Sequence, residues 1–134
     1  MLDPVLIGVD IGSVSIAIAL LDSEREVQRF EYRPHRGKVR ETLESILDEI
    51  KPGPVSGVAI TSGSPPILRD ARSCDSQISL IAGCRHFFPD VRSIIFVGGE
   101  KFGFIQFDSQ GSYRGARSNS SCAAGTGSFL ELPI

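Results

Sequence analysis

The chain has 134 residues, of which 41% are hydrophobic and 22% are charged, and its formal net charge at pH 7 is -2. These values are ordinary for a globular protein, and we expect one domain over residues 1–134 with its own core. The small net charge gives no electrostatic argument for nucleic acid or an acidic membrane as a partner. No apolar run is long enough to span a bilayer, and Asp3 and Pro4 interrupt the stretch where a signal peptide would need apolar residues. We therefore expect a cytoplasmic protein with no nucleic-acid or membrane partner.

The first fifty residues predict three strands and a helix. Val5–Val9 is a short apolar run rich in β-branched residues, which favours a central strand covered on both faces. After the turn Asp10–Ser13 the chain continues as the strands Ser15–Leu21 and Val27–Arg33, and strands joined by so short a turn pair antiparallel. Apolar side chains then recur at helical spacing, at Val39, Leu43, Ile46, Leu47 and Ile50.

The remaining elements predict a mixed sheet. Gly57–Ile60 is a buried strand, the helix Ser76–Phe88 follows, and Ile94–Val97 is the next strand. A strand, a helix and a strand in this order predict two parallel neighbours in one sheet. Phe102–Phe107 and Tyr113–Arg117 predict a hairpin. With the antiparallel trio and two crossover helices, the pattern predicts an α/β protein with an RNase H-like mixed sheet.

The first turn has the residue types of a phosphate site. Asp10 ends a buried strand, Gly12 permits a strained turn, and Ser13 offers a hydroxyl and an amide to a phosphate oxygen. A carboxylate there would hold Mg²⁺, usually through water. The alternative is that Asp10 only caps its own turn.

Two further segments contain glycine at places where a ligand would bind. Gly98 and Gly99 follow a buried strand and suit a second phosphate hairpin that faces the first, although a plain hairpin turn explains two glycines equally well. Cys122 opens a loop of small residues that ends at Gly127. Backbone there can approach an anion or an inorganic sulfide closely.

The other thiols and the histidines predict less. Cys74 and Cys84 form no CxxC pair, and buried small apolar side chains are the favoured interpretation. His35 and His86 have no companions at metal-ligand spacing, so a polar loop residue and a helix-end residue are expected. The basic cluster Arg33–Arg40 would suit an acidic partner or a CoA phosphate, and a solvated loop is the favoured alternative.

Four segments together resemble a known family. They are Gly8–Ser13, Tyr32–Gly37, Val97–Gly103 and Asn119–Glu131. The chain resembles the BadF/BadG/BcrA/BcrD family, the ATPase activators of CoA-thioester dehydratases and reductases, and its long form in particular. The Cys-Ala-Ala-Gly-Thr-Gly signature is the specific part. The resemblance implies the fold of actin, the sugar kinases and the heat-shock chaperone ATPase, with only the first lobe present.

What the resemblance implies about function concerns ATP, Mg²⁺ and iron. Family members are homodimers that hold one [4Fe-4S] cluster and use ATP hydrolysis to pass an electron to a dehydratase or reductase partner. Cys122 would be a cluster ligand, and Asp10, also the magnesium ligand, would act with Glu100 in catalysis. The nucleotide would be held by glycines and hydroxyl residues, namely Gly12, Ser13, Gly98, Gly99, Gly125, Thr126 and Gly127.

Some family features are changed or absent, and two other functions stay open. Phe96, Glu100 and Lys101 occupy places where single-domain activators usually have aspartate and Gln-Asp. The family's second ligand cysteine would lie beyond residue 134, so we expect no normal cluster in this chain. The family clasps the nucleotide between two lobes, and because only the first would be present, we expect weak or absent ATP affinity and no activity in this chain alone. A metal-dependent nuclease would use Asp10 with Glu100 or Asp108. The third hypothesis is a degenerate, non-catalytic regulatory domain.

Overall fold

The computed structural model describes residues 3–98 and 101–119. The elements in chain order are β1 (Val5–Ile11), β2 (Ser15–Leu21), β3 (Val27–Pro34), α1 (Val39–Ile50), β4 (Val55–Thr61), β5 (Arg72–Cys74), α2 (Ser76–Phe87), β6 (Ser93–Val97), β7 (Phe102–Phe107) and β8 (Tyr113–Ser118). The chain divides into two compact units, Met1–Ser79 and Leu80–Ile134. The expectation of a single domain stays a prediction. Neither helix in these ranges is long and apolar enough to cross a membrane.

A five-stranded mixed sheet with the strand order β3-β2-β1-β4-β5 forms the first unit. β1, β2 and β3 pair antiparallel, as predicted. The helix α1 connects β3 to β4, and β4 lies parallel to β1. This crossover brings the carboxyl ends of β1 and β4 to the same edge of the sheet.

The core of the first unit lies between this sheet and α1. Ile7, Val9 and Ile11 alternate along β1 and are buried, and each lies beside a buried residue of β2. α1 contributes Leu43, Ile46 and Ile50, whose spacing places them on one helix face. The helix ends at Lys51, which adopts a left-handed conformation and whose amide bonds the Leu47 carbonyl at 3.1 Å. The predicted helix is therefore confirmed.

In the part of the chain that the structure describes, β1 is covered on one face only, so the prediction of a strand buried on both faces is wrong. Leu6 is 41% exposed and Asp10 is exposed, while Ile7, Val9 and Ile11 are buried. The reason is that α1 packs against the face bearing the isoleucines. On the other face the neighbours of β1 in β2 include Ala17 and Ala19, which are small.

The predicted pairing of the second parallel strand is also wrong. β4 lies beside β5, which the sequence analysis missed, and Thr61 is level with Cys74. β6 belongs to a separate three-stranded sheet, with the order β6-β7-β8. β5 has only three residues, Arg-Ser-Cys, so it gives no hydrophobic signal, and the hydrogen bonds of β6 are made with β7 instead.

The second unit is an antiparallel meander with its own small core. β6 pairs with β7 and β7 pairs with β8, both antiparallel, so the predicted hairpin is confirmed. Ile94, Ile105 and Phe107 form the core. Cys84 of α2 packs against them and is partly buried, as expected for a small apolar side chain.

A bidentate ion pair joins the edge strand β3 to α1, and it should depend on pH. The Arg33 guanidinium contacts both Glu49 carboxylate oxygens, the shorter distance being 2.7 Å from Nη2 to Oε2. Hydrogen bonding from Arg33, and then its charge, lowers the pKa of Glu49 below the ordinary value of 4.5. Because the pKa is lower in the folded protein than in the unfolded one, the stabilisation is present above about pH 4.5 and is lost as pH falls through the lowered pKa.

Arg33→Gln should return the pKa of Glu49 toward its ordinary value, as measured by NMR titration of the side-chain carboxyl carbon. Arg40→Gln is the control: it removes an exposed arginine from α1, the helix that contains Glu49, and should leave the Glu49 titration unchanged. An identical Glu49 titration in wild type and Arg33→Gln would show that this ion pair does not form in solution.

Candidate functional site

An exposed turn between β1 and β2 carries three of the predicted site residues. Asp10 is the last residue but one of β1, and Gly12, Ser13 and Val14 connect to β2. The Gly12 amide donates to the Ser15 carbonyl at 2.9 Å, which closes the turn. All three connecting residues are exposed. The structure therefore places Asp10, Gly12 and Ser13 together at the sheet edge where β1 and β4 end.

A chain of hydroxyl groups from the β4 loop fixes the Asp10 side chain. The Thr61 hydroxyl donates to Asp10 Oδ1 at 2.7 Å. Thr61 has one hydroxyl hydrogen, so in its 2.8 Å contact with Ser64 it must accept and Ser64 must donate. Ser64 Oγ in turn accepts from the Ile11 amide at 2.8 Å. Each donor in this chain points toward the carboxylate, which polarises the bonds in one direction.

This network answers whether Asp10 only caps its own turn. The bond to Asp10 comes from a residue 51 positions later in the chain and not from the turn itself. Oδ2 of Asp10 has no hydrogen-bond partner among residues 3–98 and 101–119. One carboxylate oxygen is thus held in place and the other is open to a ligand.

The turn itself offers backbone donors. Neither the Ser13 amide nor the Val14 amide donates to another group in the described part of the chain. Two neighbouring exposed amides and the Ser13 hydroxyl make a small concentration of donors, the arrangement in which backbone binds phosphate oxygens. With Asp10 beside them, the turn combines donors for an anion with a carboxylate for a cation.

Gly12 does not relieve strain, which corrects the sequence prediction. Its φ is not positive, unlike that of Gly37, Gly53 and Gly111. A Cβ added at Gly12 would meet only the Ser15 carbonyl oxygen, at an ordinary 3.7 Å. Alanine would therefore fit the fold at this position, and the glycine leaves open space above the turn.

The second unit contains a similar turn at Gly98. The Gly98 amide donates to the Lys101 carbonyl at 2.6 Å, the same bond between positions three apart that Gly12 makes with Ser15. Val97 and Phe102 pair across this hairpin as Ile11 and Ile16 do across the first. Gly99 and Glu100 lie outside the described residues, so their predicted roles are not tested.

The predicted iron site also lies outside the described residues, as do Cys122, Gly125, Thr126 and Gly127. Between residues 3 and 98 and between 101 and 119, no group of three or more His, Cys, Asp or Glu side chains is placed to hold a metal ion. Asp108, a candidate for the nuclease hypothesis, accepts from the Gln110 and Ser112 amides and so caps its own hairpin.

The sequence analysis missed Thr61 and Ser64 as site residues. The signal available was positional, because a hydroxyl residue directly after a strand that lies parallel to β1 reaches the same sheet edge as Asp10. That inference needs the pairing of β1 with β4.

Comparison with known proteins finds activators of CoA-thioester dehydratases among the relatives of the chain. No family model matches it. It is 30% identical over 134 residues to the uncharacterized protein YjiL of Escherichia coli (strain K12), covering 94% of this chain and 50% of that protein. It is 29% identical over 133 residues to the activator of lactoyl-CoA dehydratase of Anaerotignum propionicum, covering 94% and 51%. The chain thus spans about half the length of the curated relatives it matches.

A solved structure has a similar fold. The activator of the 2-hydroxyisocaproyl-CoA dehydratase from Clostridium difficile, determined with bound ADPNP, matches with a TM-score of 0.73. Sequence identity is 24%, and the match covers 95% of this chain and 50% of that one. The predicted fold class and the predicted resemblance to CoA-thioester dehydratase activators are therefore confirmed.

Proposed function

We propose that this chain, a homologue of the activators of CoA-thioester dehydratases, forms the phosphate-binding part of an ATPase that activates such an enzyme in the cytoplasm. The observation that carries the proposal is the turn Asp10–Val14. Its donors and its fixed carboxylate have the chemistry that a magnesium nucleotide requires, and the chain's relatives include a dehydratase activator.

In this proposal the first turn holds the phosphate tail. The Ser13 and Val14 amides and the Ser13 hydroxyl would donate to phosphate oxygens, and Asp10 Oδ2 would hold the Mg²⁺ ion through water. Mg²⁺ keeps several waters and is commonly bound through one or two carboxylates plus phosphates, so a single aspartate fits this ion. Bound there, the ion would neutralise phosphate charge. Thr61 keeps the carboxylate from rotating away.

For the second unit taken by itself, the likeness of the Gly98 turn to the first turn supports a phosphate contact there too. Gly98 and Gly99 would offer backbone to the nucleotide, and Glu100 would orient the attacking water or the magnesium ion. A chain that binds ATP but does not hydrolyse it would instead fit the degenerate regulatory domain.

The iron-sulfur part of the proposal rests on the sequence signature alone. Cys122 would be a cluster ligand, with the small residues Gly125, Thr126 and Gly127 around it. In the full-length homodimer a [4Fe-4S] cluster would carry the electron that the dehydratase or reductase partner receives. The described residues do not test this site.

The nuclease hypothesis has less support. Two-metal nucleases need several carboxylates in one place, and in the described ranges no such group is present. Asp108 is also occupied by its own turn.

Replacing Gly12 by alanine tests the proposal. The fold has room for the added methyl group, but the methyl group would clash with a phosphate held closely against the turn. We expect Gly12→Ala to keep the wild-type melting temperature and to bind Mg-ATP roughly tenfold more weakly or worse, since a steric clash costs about 1–3 kcal/mol. Isothermal titration calorimetry measures the affinity.

Gly115→Ala is the matched control. A Cβ there meets nothing within 4 Å, and Gly115 lies within β8, level with Gln106 of β7 and outside the Gly98 turn. Wild-type affinity is expected. Equal affinity of Gly12→Ala and wild type would contradict the placement of a phosphate at this turn.

A further inference from the structure

A buried histidine lies directly behind the turn Asp10–Val14. His35 follows β3 and is only 6% exposed, although sequence analysis predicted a polar loop residue without a special role. Its backbone amide donates to the Val14 carbonyl at 3.0 Å, and its Nε2 lies 2.9 Å from the Gly12 carbonyl oxygen. His35 therefore contacts both ends of the exposed segment Gly12–Val14.

The hydrogen bonds of the imidazole define its tautomer. The Gly37 amide donates to Nδ1 at 3.0 Å, so Nδ1 carries a lone pair and no proton. A neutral imidazole then has its proton on Nε2, the atom beside the Gly12 carbonyl. Nε2–H accordingly donates to that carbonyl. Both ring nitrogens are used, one as acceptor and one as donor.

The loop after His35 is shaped to supply the Gly37 donor. Arg36 and Gly37 both have positive φ, 50° and 80°, and the Lys38 amide donates to the His35 carbonyl at 2.7 Å. This tight turn folds the Gly37 amide back onto the ring. Positive φ is uncommon for arginine and ordinary for glycine. The conformation of this loop therefore fixes which ring nitrogen faces Gly12.

Holding the Gly12 carbonyl also sets the direction of the Ser13 amide. The two groups belong to one planar peptide unit, and in a trans unit C=O and N–H point in opposite directions. No cis peptide bond occurs among the described residues. Because the Gly12 carbonyl points to the buried His35, the Ser13 N–H points away from it, toward the exposed side of the turn.

We propose that His35 is a positioning residue that keeps the Ser13 amide aimed outward by holding the Gly12 carbonyl. Ser64 accepts from the Ile11 amide of the Asp10–Ile11 peptide, and the Gly12 amide donates to the Ser15 carbonyl, so the backbone before the Gly12–Ser13 peptide is held as well. The consequence for nucleotide affinity rests on the proposed phosphate site. The orientation of the Ser13 amide does not, and it is measurable without any ligand.

Two substitutions separate the two hydrogen bonds of the imidazole, which we call the Gly12 arm (from Nε2) and the Gly37 arm (to Nδ1). In His35→Gln the amide nitrogen reaches about as far as Nε2 and still donates to Gly12, whereas the Gly37 arm is lost. In His35→Asn the side-chain oxygen takes the place of Nδ1 and still accepts from Gly37, whereas the Gly12 arm is lost. His86→Asn, at an exposed position of α2, is the control for loss of a histidine.

We expect amide exchange and NMR relaxation at Ser13 and Val14 to stay as in wild type for His35→Gln and His86→Asn. His35→Asn should show faster exchange and line broadening at both amides. Mg-ATP affinity should follow the same order, with His35→Asn about three- to tenfold weaker, the effect of one neutral hydrogen bond. Melting temperatures of the two His35 variants should be similar.

Equal effects of His35→Gln and His35→Asn on Ser13 would overturn the proposal, because a merely structural histidine would lose both arms alike. If wild type binds no ATP, the proposed function fails, and the Ser13 exchange still decides the role of His35. If neither variant folds, long-range ¹H–¹⁵N spectra of wild type decide it. A proton on Nε2 that couples to the Gly12 carbonyl supports the proposal, and a proton on Nδ1 contradicts it.

Discussion

Asp10→Ala should remove the magnesium dependence of ATP binding, with a loss of affinity in the presence of Mg²⁺ of roughly 10- to 100-fold. The reason is that Asp10 supplies the carboxylate at the turn, and Thr61 holds it so that Oδ2 stays open. ATP titrated with and without Mg²⁺ measures the effect. In wild type the two affinities should differ, and in Asp10→Ala they should be equal and weak.

Asp48→Ala is the matched control for this experiment. It removes an exposed carboxylate from α1 and should leave both affinities unchanged. The fold should survive in Asp10→Ala, because Asp10 is exposed and its one hydrogen bond is at the surface. Magnesium enhancement that persists in Asp10→Ala would exclude Asp10 as the residue that binds the ion.

Ile46→Ala should lower the free energy of unfolding by about 2–5 kcal/mol. Ile46 is 0% exposed and lies where α1 packs against the sheet. Truncation removes three methyl or methylene groups and leaves a cavity in the core that α1 shares with the sheet. Urea denaturation followed by circular dichroism measures the change.

Ile78→Ala makes the same substitution on a helix surface. Ile78 is 67% exposed, and we expect its replacement to change stability by less than about 0.5 kcal/mol. Similar losses for the two variants would contradict the placement of the core between α1 and the sheet.

Most of the first unit could be predicted from sequence, because its signals are local. The apolar period of α1 predicted the helix, which the structure contains as Val39–Ile50. The short turn after Asp10 required β1 and β2 to pair antiparallel, and they do. Periodicity and turn length are properties of neighbouring residues, and no knowledge of the tertiary structure is needed to use them.

The strands that pair with β4 and with β6 could not be predicted in the same way. A three-residue polar strand such as β5 has no recognisable pattern, and a crossover rule assumes that the next apolar strand joins the same sheet. β6 instead pairs with β7, which follows it in the chain.

The support of the candidate site depended on contacts that sequence does not reveal. Asp10, Gly12 and Ser13 were found from the turn motif. Thr61 reaches Asp10 from 51 residues away, and His35 reaches Gly12 from 23 residues away. A lone histidine in a basic loop predicts no partner, and only the register of β2 with β3 brings it behind the turn.

Titration of Mg-ATP into the ¹⁵N-labelled chain, followed through backbone amide resonances, tests the central claim most directly. The account predicts shifts that begin at Gly12, Ser13 and Val14, with a second set at Gly98 and few changes in α1. No shift at these amides at millimolar nucleotide, or shifts elsewhere only, would contradict a phosphate site at the turn.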